Sequence, residues 1–179
     1  MTTMATSARR AVTARDIERS VLGALAATAV LSALASLLAS HLLCNCTPSL
    51  PLGLYWLSRS GHVTAGALVA FPVPRCVQEL VRERGYLPPG ALLVKPVVAL
   101  PDDRVCTDGG ALTVNGAPFG PIATEDTRAR PLPHPDRCGP LPEGFAFVAS
   151  RFATSFDSRT FGPVPLTSIR ATVTPLWTY

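Results

Sequence analysis

The sequence predicts a mainly β protein that carries one N-terminal transmembrane helix and a short helical insertion. Residues 21–43 are rich in Ala, Leu and Val, and no Asp, Glu, Lys or Arg occurs in residues 20–58. The remainder consists of short apolar runs separated by turn residues, with 18 Pro and 13 Gly among 179 residues. This density of Pro and Gly without a collagen-like period is typical of many turns and short strands.

The apolar segment at 21–43 has the length of a membrane-spanning helix. About 20 residues rising ~1.5 Å each cover a hydrocarbon core of ~30 Å. The arginines before it, among them Arg15 and Arg19, favour a cytoplasmic N-terminus. A cleavable signal peptide is the alternative, because Ala33-Leu34-Ala35 is an acceptable small-x-small cleavage site.

We therefore expect three parts: a cytoplasmic tail at 1–20, a transmembrane anchor at 21–43 and an extracytoplasmic domain at 44–179. In the last part, the turn Asn115-Gly116 predicts a hairpin, and the proline-rich residues 118–142 predict a loop. Short β-prone runs predict strands at residues 54–57, 67–71, 92–100, 111–114, 145–149 and 169–173.

The helical insertion is predicted at residues 75–84. Its apolar side chains recur at helical spacing, so that one face would carry Cys76, Val77, Leu80 and Val81. Gly85 follows directly and is a natural helix stop.

Lys95 is the only lysine in the chain, and it lies in the apolar run at 92–100. Arginine does not lose its proton in proteins, whereas a buried lysine can. At a pKa of about 8, roughly a tenth of such amines would be neutral at pH 7. The simpler interpretation is a strand lysine that reaches solvent. Pro96 cannot donate a ladder hydrogen bond and predicts an edge or a bulge, where an extended peptide could add.

Ser49 lies in a proline-rich segment shortly after the predicted anchor. Pro48 and Pro51 restrict the backbone on both sides of it, so the serine should be held in a rigid, extended stretch. Taken alone, this segment also fits an ordinary proline-rich exit from a helix.

The composition argues against two classes of function. The net charge is +4, but the basic residues are spread singly along the chain, so nucleic-acid binding is not supported. His41, Cys44 and Cys46 are too crowded for a standard zinc pattern. We predict no metal and no cofactor.

Four segments, taken in order, resemble the bacterial signal peptidase I family. They are the predicted anchor, TPSLPLGLYW from Thr47, LLVKPVVALPDDRV from Leu92 and SFDSRTFGPV from Ser155. The pattern is most similar to the TraF-type peptidases of conjugative transfer systems. The resemblance spans residues 21–169 and implies a signal-peptidase-like catalytic domain built on an antiparallel β-sheet.

The resemblance implies that Ser49 is the nucleophile and that Lys95 is its general base. Such a Ser/Lys pair is a variant of the Ser-His-Asp arrangement. The family's oxyanion hole uses the backbone N–H of the nucleophile and a hydroxyl two residues earlier, which here belong to Ser49 and Thr47. Such donors can stabilise the transition state by several kcal/mol.

Three further residues match supporting positions of the family. Ser155 corresponds to the serine that orients the lysine amine by hydrogen bonding. Asp157 and Arg159 correspond to an acid and a base that brace this loop.

The chain departs from the family pattern at three positions. Leu50 follows the serine where ordinary signal peptidases usually have Met. Asp102 stands where the turn after the lysine strand usually has Gly, which is the more comfortable residue if the turn needs a positive φ. Pro96 follows the lysine where many relatives carry Arg.

Cysteines on an extracytoplasmic domain are expected to be oxidised. Related conjugative peptidases carry cysteines similar to Cys106 and Cys138, so the resemblance implies that these two pair. The sequence does not assign Cys44, Cys46 and Cys76.

The implied function is a membrane-anchored serine endopeptidase that removes signal peptides and matures a pilin precursor of a conjugative transfer system. Whether the product is cyclised is left open. The implied location is the inner membrane, with a cytoplasmic N-terminus and a periplasmic catalytic domain. The expected partners are a preprotein or prepilin substrate, the lipid bilayer and other conjugation or secretion components.

Three alternatives remain at this point. A general signal peptidase for secretory preproteins would use the same chemistry. A Ser-His-Asp hydrolase would need His62 or His134, but the chain contains no G-x-S-x-G elbow. A membrane-anchored β-rich module of a secretion or pilus apparatus would need no catalysis.

Overall fold

The computed structural model describes residues 13–59 and 61–179. Residues 1–12 of the predicted tail and Ser60, in a predicted turn, lie outside the described residues. The chain divides into two compact units, Met1–His41 and Leu42–Tyr179.

The first unit contains one long helix, α1 (Ala14–Ala39). Its stretch Ile17–Ala39 has a mean hydropathy of 2.2, which is compatible with a single-pass membrane anchor. The hydroxyls of Thr28 and Ser36 donate to carbonyls four residues earlier, at 2.9 Å each, so these polar groups are satisfied within the helix. The helix ends at Ala39, before the predicted end of the anchor at residue 43, and Leu42 and Leu43 belong to a strand.

The second unit is mainly β, with eleven strands in two sheets among its described residues. In chain order the strands are β1 (Leu42–Asn45), β2 (Gly53–Ser58), β3 (Leu68–Pro72), β4 (Leu92–Ala99), β5 (Arg104–Cys106), β6 (Ala111–Val114), β7 (Ala117–Pro121), β8 (Cys138–Pro140), β9 (Phe145–Val148), β10 (Val164–Pro165) and β11 (Ala171–Thr178).

The larger sheet has the order β1-β2-β11-β3-β4-β9-β10, and all its neighbouring strands are antiparallel. β11 therefore lies between β2 and β3. At one end of β2, Gly53 has φ 139° and approaches β11 so closely that a Cβ there would lie 2.1 Å from the carbonyl oxygen of Trp177. Only glycine fits this contact.

β4 carries Lys95 and lies between β3 and β9, so of the two predicted alternatives, an edge strand or a bulge, the edge strand is excluded. The predicted irregularity is present nearby, as a register shift between Val97 and Ala99. Among the described residues, the stretch 92–95 pairs with β3 alone, because the contacts with β9 and the residue after it begin at Pro96, whose carbonyl accepts from Ala149 N at 3.0 Å. One side of the strand around Lys95 is therefore open.

The smaller sheet has the order β7-β6-β5-β8. β6 and β7 form the predicted hairpin, in which Asn115 and Gly116 have φ values of 51° and 79°. A disulfide joins Cys106 to Cys138 on the paired strands β5 and β8. The predicted loop at 118–142 was wrong in part, because it contains most of β7 and all of β8.

The helical insertion begins with a 3-10 turn at Arg75–Val77 and continues as α2 (Gln78–Arg84). It ends at Gly85, whose φ of 62° is the left-handed helix stop expected from the sequence. Val77 and Val81 are buried, whereas Cys76 is exposed and does not share their environment.

A buried cluster between these elements forms the main core. Its nine members come from β3, β4, β9, β10 and the helical segments. They are Val69, Phe71, Val77, Leu93, Val97, Ala146, Val148, Phe161 and Val164.

Candidate active site

The structure brings Ser49, Lys95 and Ser155 together. The Lys95 Nζ atom lies 2.6 Å from the Ser49 Oγ atom and 2.9 Å from the Ser155 Oγ atom, and it donates to both. Only 4% of the Lys95 surface is exposed. These three side chains come from segments far apart in sequence, so the fold itself assembles the cluster.

Lys95 is buried because of its position on β4. Alternate residues of a strand share one face, so Lys95 projects from the same face as Leu93 and Val97, which belong to the main core. Burial in these surroundings lowers the pKa of Lys95 from 10.5 to about 8. The charge of Asp157 raises this pKa in part, and that of Arg159 lowers it. About a tenth of the amines are then neutral at pH 7.

Ser49 lies on the loop that connects β1 to β2, hereafter the serine loop (residues 46–52). The loop is held by the side chain of Asn45, which is buried and hydrogen-bonded to Thr47, Leu50 and Pro51. The Tyr55 hydroxyl also donates to the Pro51 carbonyl, at 2.6 Å. The serine is therefore fixed by side chains as well as by its flanking prolines.

Sequence reasoning missed Asn45. The available signal was its spacing from Thr47, because asparagine side chains often accept a hydrogen bond from the backbone N–H two residues later. The structure contains this bond, at 3.2 Å from Thr47 N to Asn45 Oδ1.

Thr47 is exposed and lies beside Ser49, with 3.5 Å between the two hydroxyl oxygens. The Thr47 hydroxyl donates to Asn45 Oδ1 at 2.8 Å. Cys44 and Cys46 flank Asn45, and their Sγ atoms are 3.5 Å apart.

Asp157 and Arg159 form a buried ion pair behind Ser155. Arg159 Nη2 lies 2.8 Å from Asp157 Oδ2, and the two side chains are 2% and 0% exposed. Arg159 also donates to the carbonyls of Ser150, Phe152 and Pro121. The pair thereby ties together the chain on both sides of Ser155 with residues of β7.

The histidines are not part of this cluster. Among the described residues, the groups within hydrogen-bonding distance of the Ser49 hydroxyl are the Lys95 amine and the Thr47 hydroxyl. His134 instead contacts the Leu132 carbonyl, at 3.1 Å. The geometry gives no support to a Ser-His-Asp arrangement with His62 or His134.

A cavity of about 610 Å³ is lined by Ser49, Lys95 and Ser155. It includes the open side of β4, and most of its wall is apolar, with Leu87, Leu92, Val94, Leu132 and Phe156 among the lining residues. A hydroxyl beside a desolvated amine, in an apolar cleft next to unpaired strand backbone, can attack the carbonyl of an extended peptide.

Comparisons with known proteins show which family this chain is similar to. The sequence pattern of the family described as signal peptidase, peptidase S26, matches residues 15–177. The conjugal transfer protein TraF of Agrobacterium tumefaciens is 37% identical over 144 residues, covering 75% of this chain and 81% of that protein. A plasmid transfer protein TraF of Escherichia coli is 35% identical over 146 residues, covering 75% and 82%. The crystal structure of a signal peptidase I from Enterococcus faecalis aligns with a TM-score of 0.40 and 22% identity, over 64% of this chain and 98% of that chain.

Proposed function

Because the chain belongs to the signal peptidase family, peptidase S26, we propose that it is a membrane-anchored serine endopeptidase in which Ser49 and Lys95 form the catalytic dyad. The observation that carries this proposal is the 2.6 Å distance between Lys95 Nζ and Ser49 Oγ. The burial of Lys95 supports the proposal further, because it lowers the pKa of the amine so that a fraction of it is neutral near physiological pH.

In the proposed first step, Ser49 Oγ attacks the carbonyl carbon of the scissile peptide bond while its proton passes to neutral Lys95. The resulting oxyanion accepts hydrogen bonds from the Ser49 backbone N–H and the Thr47 hydroxyl. Lys95 then gives the proton to the leaving amine, which breaks the peptide bond and leaves an ester on Ser49. Water attacks this ester with Lys95 again as the base, which releases the new carboxylate and restores the serine.

Ser155 and the Asp157–Arg159 pair support this chemistry, Ser155 through its contact with the Lys95 amine and the ion pair from further away. Ser155 accepts a hydrogen bond from Lys95, which aims the amine at Ser49. The ion pair fixes the loop that carries Ser155.

We further propose a pilin precursor of a conjugative transfer system as the substrate. The support is the names of the relatives, which are a conjugal transfer protein and a plasmid transfer protein. The proposed location is the inner membrane, with α1 as the anchor and the second unit in the periplasm. Whether water or an amine of the pilin attacks the ester decides between a linear and a cyclic product.

The test is cleavage of signal-bearing precursors by the detergent-solubilised protein, with Ser49→Ala and Lys95→Arg as variants. Lys95→Arg keeps the positive charge but cannot accept the proton at neutral pH. We expect the wild type to cleave and both variants to be inactive, while their circular dichroism spectra match that of the wild type.

Two outcomes would contradict the proposal. Normal cleavage by Lys95→Arg would show that lysine is not the base. Cleavage of secretory preproteins but not of prepilins would assign the protein to general signal-peptide removal.

A further inference from the structure

We propose that Asn45 is a positioning residue that holds the serine loop in its reactive geometry. This inference rests on the proposed function. Asn45 is the last residue of β1 and is 8% exposed, so its amide group is largely removed from water. A buried amide needs hydrogen-bond partners, and Asn45 finds all of them in the loop that carries Ser49.

Both the nitrogen and the oxygen of the Asn45 amide form hydrogen bonds with the serine loop. Its Nδ2 atom donates to the carbonyls of Thr47, Leu50 and Pro51, at 3.0, 3.1 and 3.1 Å. Its Oδ1 atom accepts from the Thr47 backbone N–H at 3.2 Å and from the Thr47 hydroxyl at 2.8 Å. The bonded groups lie before and after Ser49 in sequence, so one side chain fixes the chain on both sides of the nucleophile.

The serine loop needs this support because its own backbone offers little. Pro48 and Pro51 have no N–H group to donate. The chain turns at Pro48 and Ser49, and outside the strand ladders the well-aligned backbone–backbone hydrogen bond of the described residues 46–52 is that from Tyr179 N to the Leu52 carbonyl, at 3.0 Å. Asn45 therefore supplies hydrogen bonds that the backbone of this turn does not.

Asn45 also fixes the resting position of Thr47. The Thr47 hydroxyl has one proton, which it donates to Asn45 Oδ1 while its oxygen lies 3.5 Å from Ser49 Oγ. When that proton turns to the oxyanion, the Thr47 N–H still occupies Oδ1, so no buried acceptor is left without a partner. This exchange lets the hydroxyl act in the transition state at small cost, and it predicts an effect on kcat rather than on KM.

The experiment measures kcat, KM and the pH profile of precursor cleavage for wild type, Asn45→Ala and Asn45→Asp. Asn45→Asp keeps the side-chain shape and an acceptor for Thr47, but it turns a carboxylate oxygen towards three carbonyls. We expect both variants to lose roughly 10- to 100-fold in kcat, because small misplacements of a nucleophile cost about this much. For Asn45→Ala, KM should stay within about two-fold of wild type, and the rise of activity with pH should keep its midpoint.

Asn115→Asp is the matched control. Asn115 is the other asparagine of the chain and also holds a turn, through Arg104 N and Asp103 Oδ1. This variant should lower the melting temperature without lowering kcat.

The inference is overturned if Asn45→Ala keeps the kcat of wild type, or if its loss is explained entirely by a higher KM. It is also overturned if the midpoint of the pH profile rises enough to account for the lost activity. Such a rise would mean that water has entered around Lys95 and raised the pKa of its amine, so that the loss of kcat would not come from a misplaced serine loop. If Asn45→Ala does not fold, Asn45→Asp is judged by its kcat and KM alone. Cleavage that persists in Ser49→Ala would instead refute the proposed function, and the two failures are therefore distinguishable.

Discussion

At the residue scale, the burial of Lys95 makes the folded state less stable than an apolar side chain would. The pKa of Lys95 is 10.5 in ordinary surroundings and about 8 in the folded protein. Between these pH values the unfolded chain holds a proton that the folded protein has released, so stability rises as the pH rises from 8 to 10.5. Below pH 8, the buried charge of Lys95 lowers the free energy of unfolding by about 3 kcal/mol relative to a solvated lysine.

We therefore expect Lys95→Met to be inactive and yet more stable than wild type at pH 7, by about 1–3 kcal/mol. Its stability should also lose the rise above pH 8. Urea denaturation at pH 7 and pH 10 measures both effects. Ser49→Ala is the control, because it removes the nucleophile and leaves the lysine buried. Equal stabilities of Lys95→Met and wild type at pH 7 would show that the amine is well solvated.

Single residues differ in how far their roles can be predicted from the sequence. Lys95 could be singled out because it is the only lysine of the chain and lies in an apolar, β-prone run, but its role was implied only once the family resemblance was added. The family resemblance was confirmed by the match to the peptidase S26 family. The spacing of Asn45 from Thr47 indicates one hydrogen bond, but the sequence does not show its burial or the three carbonyls that face it only after the chain has turned.

At the element scale, strands were predictable where apolar runs are isolated by turns, and the end of α2 was predictable from Gly85, whereas the end of α1 was not. The apolar run continues through Leu43, so nothing local marks the end of α1 at Ala39. Leu42–Asn45 becomes a strand because it pairs with β2, and this pairing is not visible in its composition. β8 was missed for the same reason, since it depends on β5 more than 30 residues earlier. The backbone conformation of the turn after β4 could be anticipated from the family pattern, which has glycine there. Asp102 occupies this position with a positive φ of 72°.

The disulfide between β5 and β8 should stabilise the smaller sheet. It closes a loop with a sequence separation of 32, which is worth about 3–4 kcal/mol on the chain-entropy model. We expect Cys106→Ser with Cys138→Ser to lower the free energy of unfolding by about this amount. Cleavage should persist, because neither cysteine lines the cavity at Ser49.

Urea denaturation of wild type with and without reductant gives an independent measurement. Cys76→Ser is the control, because this exposed cysteine is free. An unchanged curve for reduced wild type would show that the bridge adds no stability.

At the scale of the whole molecule, we expect each of the two compact units to be testable by itself. We expect residues 42–179 to fold alone and to cleave a soluble peptide with the same pH dependence as the full chain, because the cavity is lined entirely by the second unit. The full chain should co-sediment with phospholipid vesicles, whereas 42–179 should bind them less. Loss of the folded spectrum in 42–179 would show that α1 is needed for the domain itself.

The place of β11 between β2 and β3 has a consequence for how the protein is made. The ribosome delivers the chain from its N-terminus, so β1 to β4, with Ser49 and Lys95, emerge long before residues 171–178. Among the described strands, β11 is the one that connects β1 and β2, whose loop carries Ser49, with β3 and β4, of which β4 carries Lys95. Before β11 has been made, these two pairs of strands are therefore not joined in one sheet. If Ser49 and Lys95 act as we propose, the growing chain is inert, and it can cleave a substrate only once translation has supplied this last strand.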